Sequence, residues 1–197
     1  FSADVFPDCG ADDACNAYSD STMSNGPIQA YMADGLLYRH WTNWKRGKAT
    51  HTIRFDMVTG MYTDLTPGTN DWPAWEQGGV GYVYSPDGRE VCRGSNHDRD
   101  QAESTNKDLW LVPFTGGEPK NITADNKAYD GNPQYSPDGK YIAYKIQTVP
   151  GYESDWIRLA LYDRATDART IISGAFDNWI NDIRWAPDSK SLYFTAP

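Results

Sequence analysis

The chain holds 197 residues with a formal net charge of −9, and its 18 Lys and Arg are scattered, which argues against nucleic acid as a partner because phosphate binding wants concentrated cations. No apolar run approaches the roughly 20 residues of a membrane-spanning helix, so no membrane insertion is expected, and the amino terminus shows neither the charged start nor the apolar core of a signal peptide. Aromatic residues make up 14% of the chain, with 8 Trp and 13 Tyr, a composition that favours pleated sheet.

Residues 1 to 35 are rich in Gly, Asp, Asn and Ser and show no clear period, so they read as a long insertion loop with one short helix around Asp12 to Ala17. Cys9 and Cys15 bracket a polar stretch, CGADDAC. A local disulfide and a pair of reduced thiols both fit; the disulfide would imply a periplasm or the cell exterior. A four-ligand zinc site needs more Cys or His than lie here, and Asp12 with Asp13 does not make a calcium loop. Neither metal nor other cofactor is expected. From Gly35 the text becomes strand-like: Leu36 to Trp41, a polar turn at Lys45 to Lys48, His51 to Asp56, a turn at Val58 to Gly60, and Met61 to Thr66.

Then a turn signal repeats. Ser85-Pro86-Asp87-Gly88, Ser136-Pro137-Asp138-Gly139 and Ala186-Pro187-Asp188-Ser189 each stand between two apolar-alternating stretches, as antiparallel strands joined by a tight turn do. The three prolines are 51 and 50 residues apart, a period that marks a repeat architecture. After the first two turns come further strand pairs, Asp108 to Pro113 with Pro119 to Thr123 and Ile157 to Asp163 with Ala168 to Ser173. Cys92 sits within one apolar stretch and reads as a small core hydrophobe. Four short strands per period give an all-β fold, an incomplete β-propeller of four-stranded antiparallel blades. The expected division is an outer part of one blade over 1–74, whole blades over 75–130 and 131–180, and the first strands of another over 181–197. Such a piece reads as an arc of one propeller domain from a larger protein.

The repeat, SPDG-Lys/Arg with a Thr-Gly-Gly-like turn and a strand ending Ile-Thr, resembles the Pro-Asp propeller repeat (PD40 type) shared by TolB proteins and the S9, prolyl oligopeptidase, family of serine peptidases. The longer inserts, Leu37 to Trp44, Ser95 to Asp98 with Ser104 to Leu109, and Pro150 to Asp155, resemble the acylaminoacyl-peptidase branch, the dipeptidyl-peptidase 5 type in particular. The resemblance implies a propeller that caps an α/β-hydrolase domain, screens peptide substrates and holds their amino ends, in a periplasmic or secreted hydrolase. Its catalytic residues would lie in that partner domain. No G-x-S-x-G occurs in this sequence, the strained turn that exposes such a nucleophile, so no catalytic residue is expected here. The alternative is a TolB-like platform that binds proteins and has no enzymatic activity.

Two groups of residues are candidates for touching a substrate. The loops Asn96 to Lys107 and Thr148 to Trp156 both join second and third strands of a blade and should share a face, which brings forward His97, Asp98, Glu103, Glu153 and Asp155. A carboxylate there can pair with a peptide ammonium; the plainer reading is loop charges in weak surface pairs. Arg39, His40, Trp41 and Trp44 form the densest cluster, suited to a carboxylate or a substrate ring, or equally to packing between blades. Asn121-Ile122-Thr123 is a formal glycosylation sequon placed on a strand, and carries no weight.

Overall fold

In the computed structural model, which describes residues 1–40, 42–72 and 82–197, short antiparallel sheets follow one another along the chain. β1 (Ser2–Val5) is followed by α1 (Asp13–Asn25), a small hairpin of β2 (Arg39–His40) and β3 (Asn43–Trp44), then β4 (Ala49–Phe55) and β5 (Tyr62–Asp64). The first sheet has the order β1-β4-β5. The opening residues are therefore not all loop: Ser2 to Val5 lie against Thr52 to Ala49, with Val5 buried at the core end. Leu36 to His40 do not form the long strand that their composition implies. Leu37 stands at φ 62°, which interrupts an extended backbone, and β2 pairs only with β3.

The helix runs longer than its sequence promised. Asp12 caps it by accepting the Cys15 N–H at 3.0 Å, and Asn16 ties the entry by donating to the carbonyls of Gly10 and Asp12 and accepting from Phe6 N–H. Cys9 and Cys15 form a disulfide across this entry. None of the 13 helical residues is buried, so no apolar stripe marks the helix in the sequence.

Two four-stranded meanders follow. One is β6 (Tyr82–Tyr84), β7 (Glu90–Ser95), β8 (Asp108–Pro113) and β9 (Lys120–Asn121); the other is β10 (Asp130–Tyr135), β11 (Tyr141–Ile146), β12 (Arg158–Asp163) and β13 (Arg169–Ile171). β14 (Ile183–Trp185) and β15 (Leu192–Phe194) make a last hairpin. The Pro-Asp turns work by side-chain bonding. Ser85 Oγ donates to Asp87 at 2.7 Å and accepts the N–H groups of Arg89 and Glu90, and Ser136 does the same with Asp138 and Tyr141. Gly88 and Gly139 close these turns at φ 67° and 72°, a region that glycine enters freely. The third copy has Ala186 for the serine, and Ser189 takes the strained position at φ 62°; Asp188 alone accepts Lys190 N–H at 3.0 Å.

A second bond repeats just past the last strand of the first sheet and of both meanders. Thr66, Thr123 and Ser173 each accept, through a buried hydroxyl, the N–H of a residue on the preceding strand: Thr52 of β4 at 2.8 Å, Leu109 of β8 at 2.9 Å and Leu159 of β12 at 2.8 Å. The sheets pack face to face through apolar clusters. Leu65, Trp72, Val91 and Val112 join the first to the second; Cys92, Leu109, Leu111, Ile122, Ile142, Tyr144 and Tyr162 join the second to the third; Ala143, Leu159, Ile180 and Ile183 join the third to the last hairpin. Cys92 is core, and burial pushes its thiol far above the ordinary range. The first strands of neighbouring sheets, β6, β10 and β14, lie together. This is the arrangement of blades around an axis, a β-propeller fold.

Candidate functional site

Antiparallel meanders send alternate connections to opposite ends of the strands. The Pro-Asp turns and the short turns at 57–60, 115–117 and 164–167 belong to one end. The connection from β1 to β4, residues 6–48, and the connections between second and third strands of the two meanders, residues 96–107 and 147–157, belong to the other, together with the segments that lead from one sheet to the next. The tight-turn end is stitched by Glu90, which accepts Tyr135 Oη at 2.9 Å and Arg164 Nη2 at 2.7 Å. The long-loop end is where loops on a rigid scaffold carry binding groups.

These loops touch in series. Lys45, at the end of the first, pairs with Asp71 of the segment leaving β5, and Lys48 pairs with Asp20 of α1 at 2.8 Å. Trp72 meets His97 edge-on at 4.9 Å, and His97 stacks on Trp110 at 4.2 Å. Gly151 N–H donates to Thr105 Oγ1 at 2.9 Å across two loops. Trp156 Nε1 donates to the carbonyl of Asn178 at 2.6 Å in the segment that leads to β14. One continuous rim results.

The candidate residues differ in what the rim leaves them to do. Asp155 is buried, and its carboxylate accepts the N–H groups of Thr148, Val149 and Trp156 at 2.7, 3.0 and 2.8 Å. Burial pushes its pKa up, but these three bonds outweigh that and hold it below the ordinary carboxylate value; it shapes the loop. Glu153 stands exposed on the same loop, where its backbone carbonyl accepts Gln147 Nε2 at 3.0 Å. Asp98 likewise folds its loop, accepting Ser104 Oγ and Asn106 Nδ2, while Glu103 is exposed at the end of a single 3-10 turn. His97 offers an imidazole edge between two indoles, and burial lowers its pKa, so it is neutral at pH 7. Arg39 and Trp44 face each other across the β2–β3 hairpin register. Trp44 stacks on Tyr31 at 4.9 Å and lies 5.5 Å from Tyr38, and the Arg46 guanidinium covers Tyr31 at 5.5 Å. His40 belongs to that hairpin by its backbone; Trp41 lies outside the described residues. The rim thus carries two separate sets, an aromatic and basic one at 31–46 and a set of loop charges and His97 around 97–103 and 153.

A buried polar knot between β8 and β10 went unread in the sequence. Asp108 accepts Asn121 Nδ2 at 2.8 Å. Asp130, wholly buried, accepts Asn126 Nδ2 at 3.0 Å, and burial raises its pKa to about 8. Lys107 is packed against Gly94 and the Tyr129 ring, 5.4 Å from its centroid, and burial lowers its pKa to about 7. The bulge in β10 between Gly131 and Gln134, with Asn132 at φ 52° before Pro133, lies beside this knot. Only the polar residues that interrupt apolar strand text hinted at it. Asn121 of the sequon is one of these packed groups. Among the described residues no group of His, Cys, Asp and Glu is placed to hold a metal, and no helix is long and apolar enough to cross a membrane.

No protein-family model matches the chain. It is 36% identical over 172 residues to dipeptidyl-peptidase 5 of Porphyromonas gingivalis, an alignment that takes in 82% of this chain and 24% of that protein. The chain is homologous to a segment of dipeptidyl-peptidase 5. The relative of the same name from Porphyromonas endodontalis is 30% identical over 74% of the chain and 22% of its own length, so the chain spans about a quarter of the curated relatives it matches. Among solved structures, TolB of Acinetobacter baumannii aligns with 74% of the chain at TM-score 0.52 and 15% identity, covering 32% of TolB. The tricorn protease aligns with 75% at TM-score 0.56 and 14% identity, covering 13% of that chain. These likenesses bear on fold alone. With the dipeptidyl-peptidase 5 relatives, they identify an S9-type propeller segment.

Proposed function

We propose that this segment is the non-catalytic propeller portion of an S9 serine peptidase of dipeptidyl or acylaminoacyl type, secreted or periplasmic, and that its long-loop rim admits and positions peptides for an α/β-hydrolase domain elsewhere in the parent protein. The single observation that carries the reading is the continuity of the rim in a chain homologous to dipeptidyl-peptidase 5: the three long loops are linked in series through Lys45–Asp71, Trp72–His97 and Gly151–Thr105, the first two by way of the segment after β5. Exposed Glu153 and Glu103 are suited to a peptide's ammonium group, and the Arg46, Tyr31 and Trp44 set is suited to a carboxylate or a ring. The chain itself contributes no nucleophile.

The test compares the whole protein with the 197-residue chain on dipeptidyl chromogenic substrates. The expected result is turnover by the whole protein that a serine-directed inhibitor abolishes, and none by the chain. Serine-dependent turnover by the chain alone, or a whole protein that lacks a G-x-S-x-G nucleophile and binds other proteins instead, would overturn the reading.

A further inference from the structure

His51 lies on β4, the middle strand of the first sheet, one residue before Thr52 as Asp108 and Arg158 stand one before Leu109 and Leu159, and its side chain is fully buried. Its Nδ1 lies 2.6 Å from Asp64 Oδ2 and its Nε2 lies 2.8 Å from the carbonyl oxygen of Gly68. A carbonyl oxygen can only accept, so Nε2 carries a proton. Asp64 accepts Thr66 N–H at 3.0 Å through its other oxygen, and as an ionised carboxylate it offers Nδ1 only an acceptor, so Nδ1 carries a proton too. A neutral ring has one N–H and cannot serve both partners.

We propose that His51 is a buried imidazolium clamp that fastens the 65–72 segment to the first sheet, and that its deprotonation releases this part of the loop rim. The charged groups around it come from several elements. Asp64 is contributed by β5 and Asp71 by the segment that leaves it; Lys45 pairs with Asp71 from the end of the insertion. The β1 residue in register is Ala3, which is uncharged, and Gly10 abuts Asp64 from the loop before α1. Burial works against the charge on the ring. The Asp64 and Gly68 hydrogen bonds and the charges of Asp64 and Asp71 outweigh it and raise the pKa above the ordinary histidine value.

What the clamp holds explains why it matters. Between Asp64 and Trp72 the chain supplies Leu65 and Trp72 to the seam with the second sheet. Asp71 accepts Thr50 N–H at 2.9 Å, and its backbone carbonyl accepts Ser95 Oγ at 2.7 Å. Loss of the Nδ1 proton sets a lone pair against the Asp64 carboxylate, with no donor between them. The sign follows from linkage: a raised folded pKa gives stability that is complete below the unfolded value, near 6.5, and is lost as pH climbs through the folded value. The clamp is closed below the folded value and opens as pH climbs through it.

The test is histidine ring nitrogen NMR on the protein from pH 5 to 10, with backbone hydrogen exchange over residues 65–72. Both His51 ring nitrogens are expected to be protonated at pH 6, and exchange protection at Leu65, Thr66 and Trp72 is expected to fall as pH climbs through the His51 titration, by about tenfold for each unit by which the pKa is raised. Asp64→Asn should move the His51 titration, and the loss of protection with it, to lower pH. A single neutral tautomer at pH 6, or a protection profile that Asp64→Asn leaves in place, would overturn the proposal.

Discussion

Thr123→Val probes the bond that recurs in the first sheet and both meanders. Thr123 is 1% exposed and its hydroxyl accepts Leu109 N–H at 2.9 Å while donating to Asp108 Oδ1 at 3.4 Å. Valine keeps the shape and removes the acceptor, so a wholly buried N–H loses its partner inside a sheet seam that also holds Ile122 and Leu111. An unsatisfied buried donor costs about 1–3 kcal/mol. The Asp108 contact is long and is backed by Asn121, so it adds little. For a protein of this size the cost lowers Tm by about 2–4 °C per kcal/mol. Urea unfolding at pH 7 measures it, with exposed Thr59→Val as the control expected within about 0.5 kcal/mol of the parent. If Thr123→Val falls within that same margin, the hydroxyl is not the partner of Leu109, and the equivalent role given to Thr66 and Ser173 goes with it.

Asp130→Asn should stabilise the fold at neutral pH. The raised pKa of Asp130, about 8, gives stability that is complete below the unfolded value near 3.9 and lost as pH climbs through the folded one, so the urea midpoints of variant and parent should diverge from pH 4 to 8; parallel profiles would refute it. Gly131→Ala places a Cβ 2.0 Å from the Tyr129 hydroxyl and 2.3 Å from its ring carbon, an overpacking expected to cost about 1–3 kcal/mol, read by thermal melting. Asp155→Asn removes a carboxylate held by three N–H groups, and its pKa lies below the ordinary value. Its contribution is present above about pH 3.9 and lost as pH falls through the lower folded value, so the parent, not the variant, should show acid loosening of 147–157 by hydrogen exchange. In the whole protein, Glu153→Gln is expected to raise KM for dipeptidyl substrates several-fold with kcat little changed; unchanged KM would remove Glu153 from the rim's binding set.

Much of the fold was legible because its signals are local. A Pro-Asp-Gly turn is specified by four residues, and within that span Ser85 Oγ donates to Asp87 and the Ser85 carbonyl accepts Gly88 N–H. The alternation of β11 and β12 announces two strands whose inner faces are buried. The first 48 residues were harder for the same reason. α1 has no buried face, Leu37 breaks an apolar run by its backbone angle, and β1 finds its partner 44 or more residues downstream. The candidate site divides along the same line. Loop membership placed Glu153, Asp155, His97 and Glu103 on one end of the strands, but nothing local told the exposed Glu153 from Asp155, whose carboxylate is spent on its own loop.

The turn period of about 50 residues and the strand text between the turns were enough to specify repeated antiparallel sheets, since hairpin geometry depends on neighbours in sequence. The buried charges were not specified that way. Whether a carboxyl such as Asp130 is neutral, or an imidazole such as His51 doubly protonated, depends on which groups from distant strands surround it and exclude water. That environment exists only once the sheets have packed.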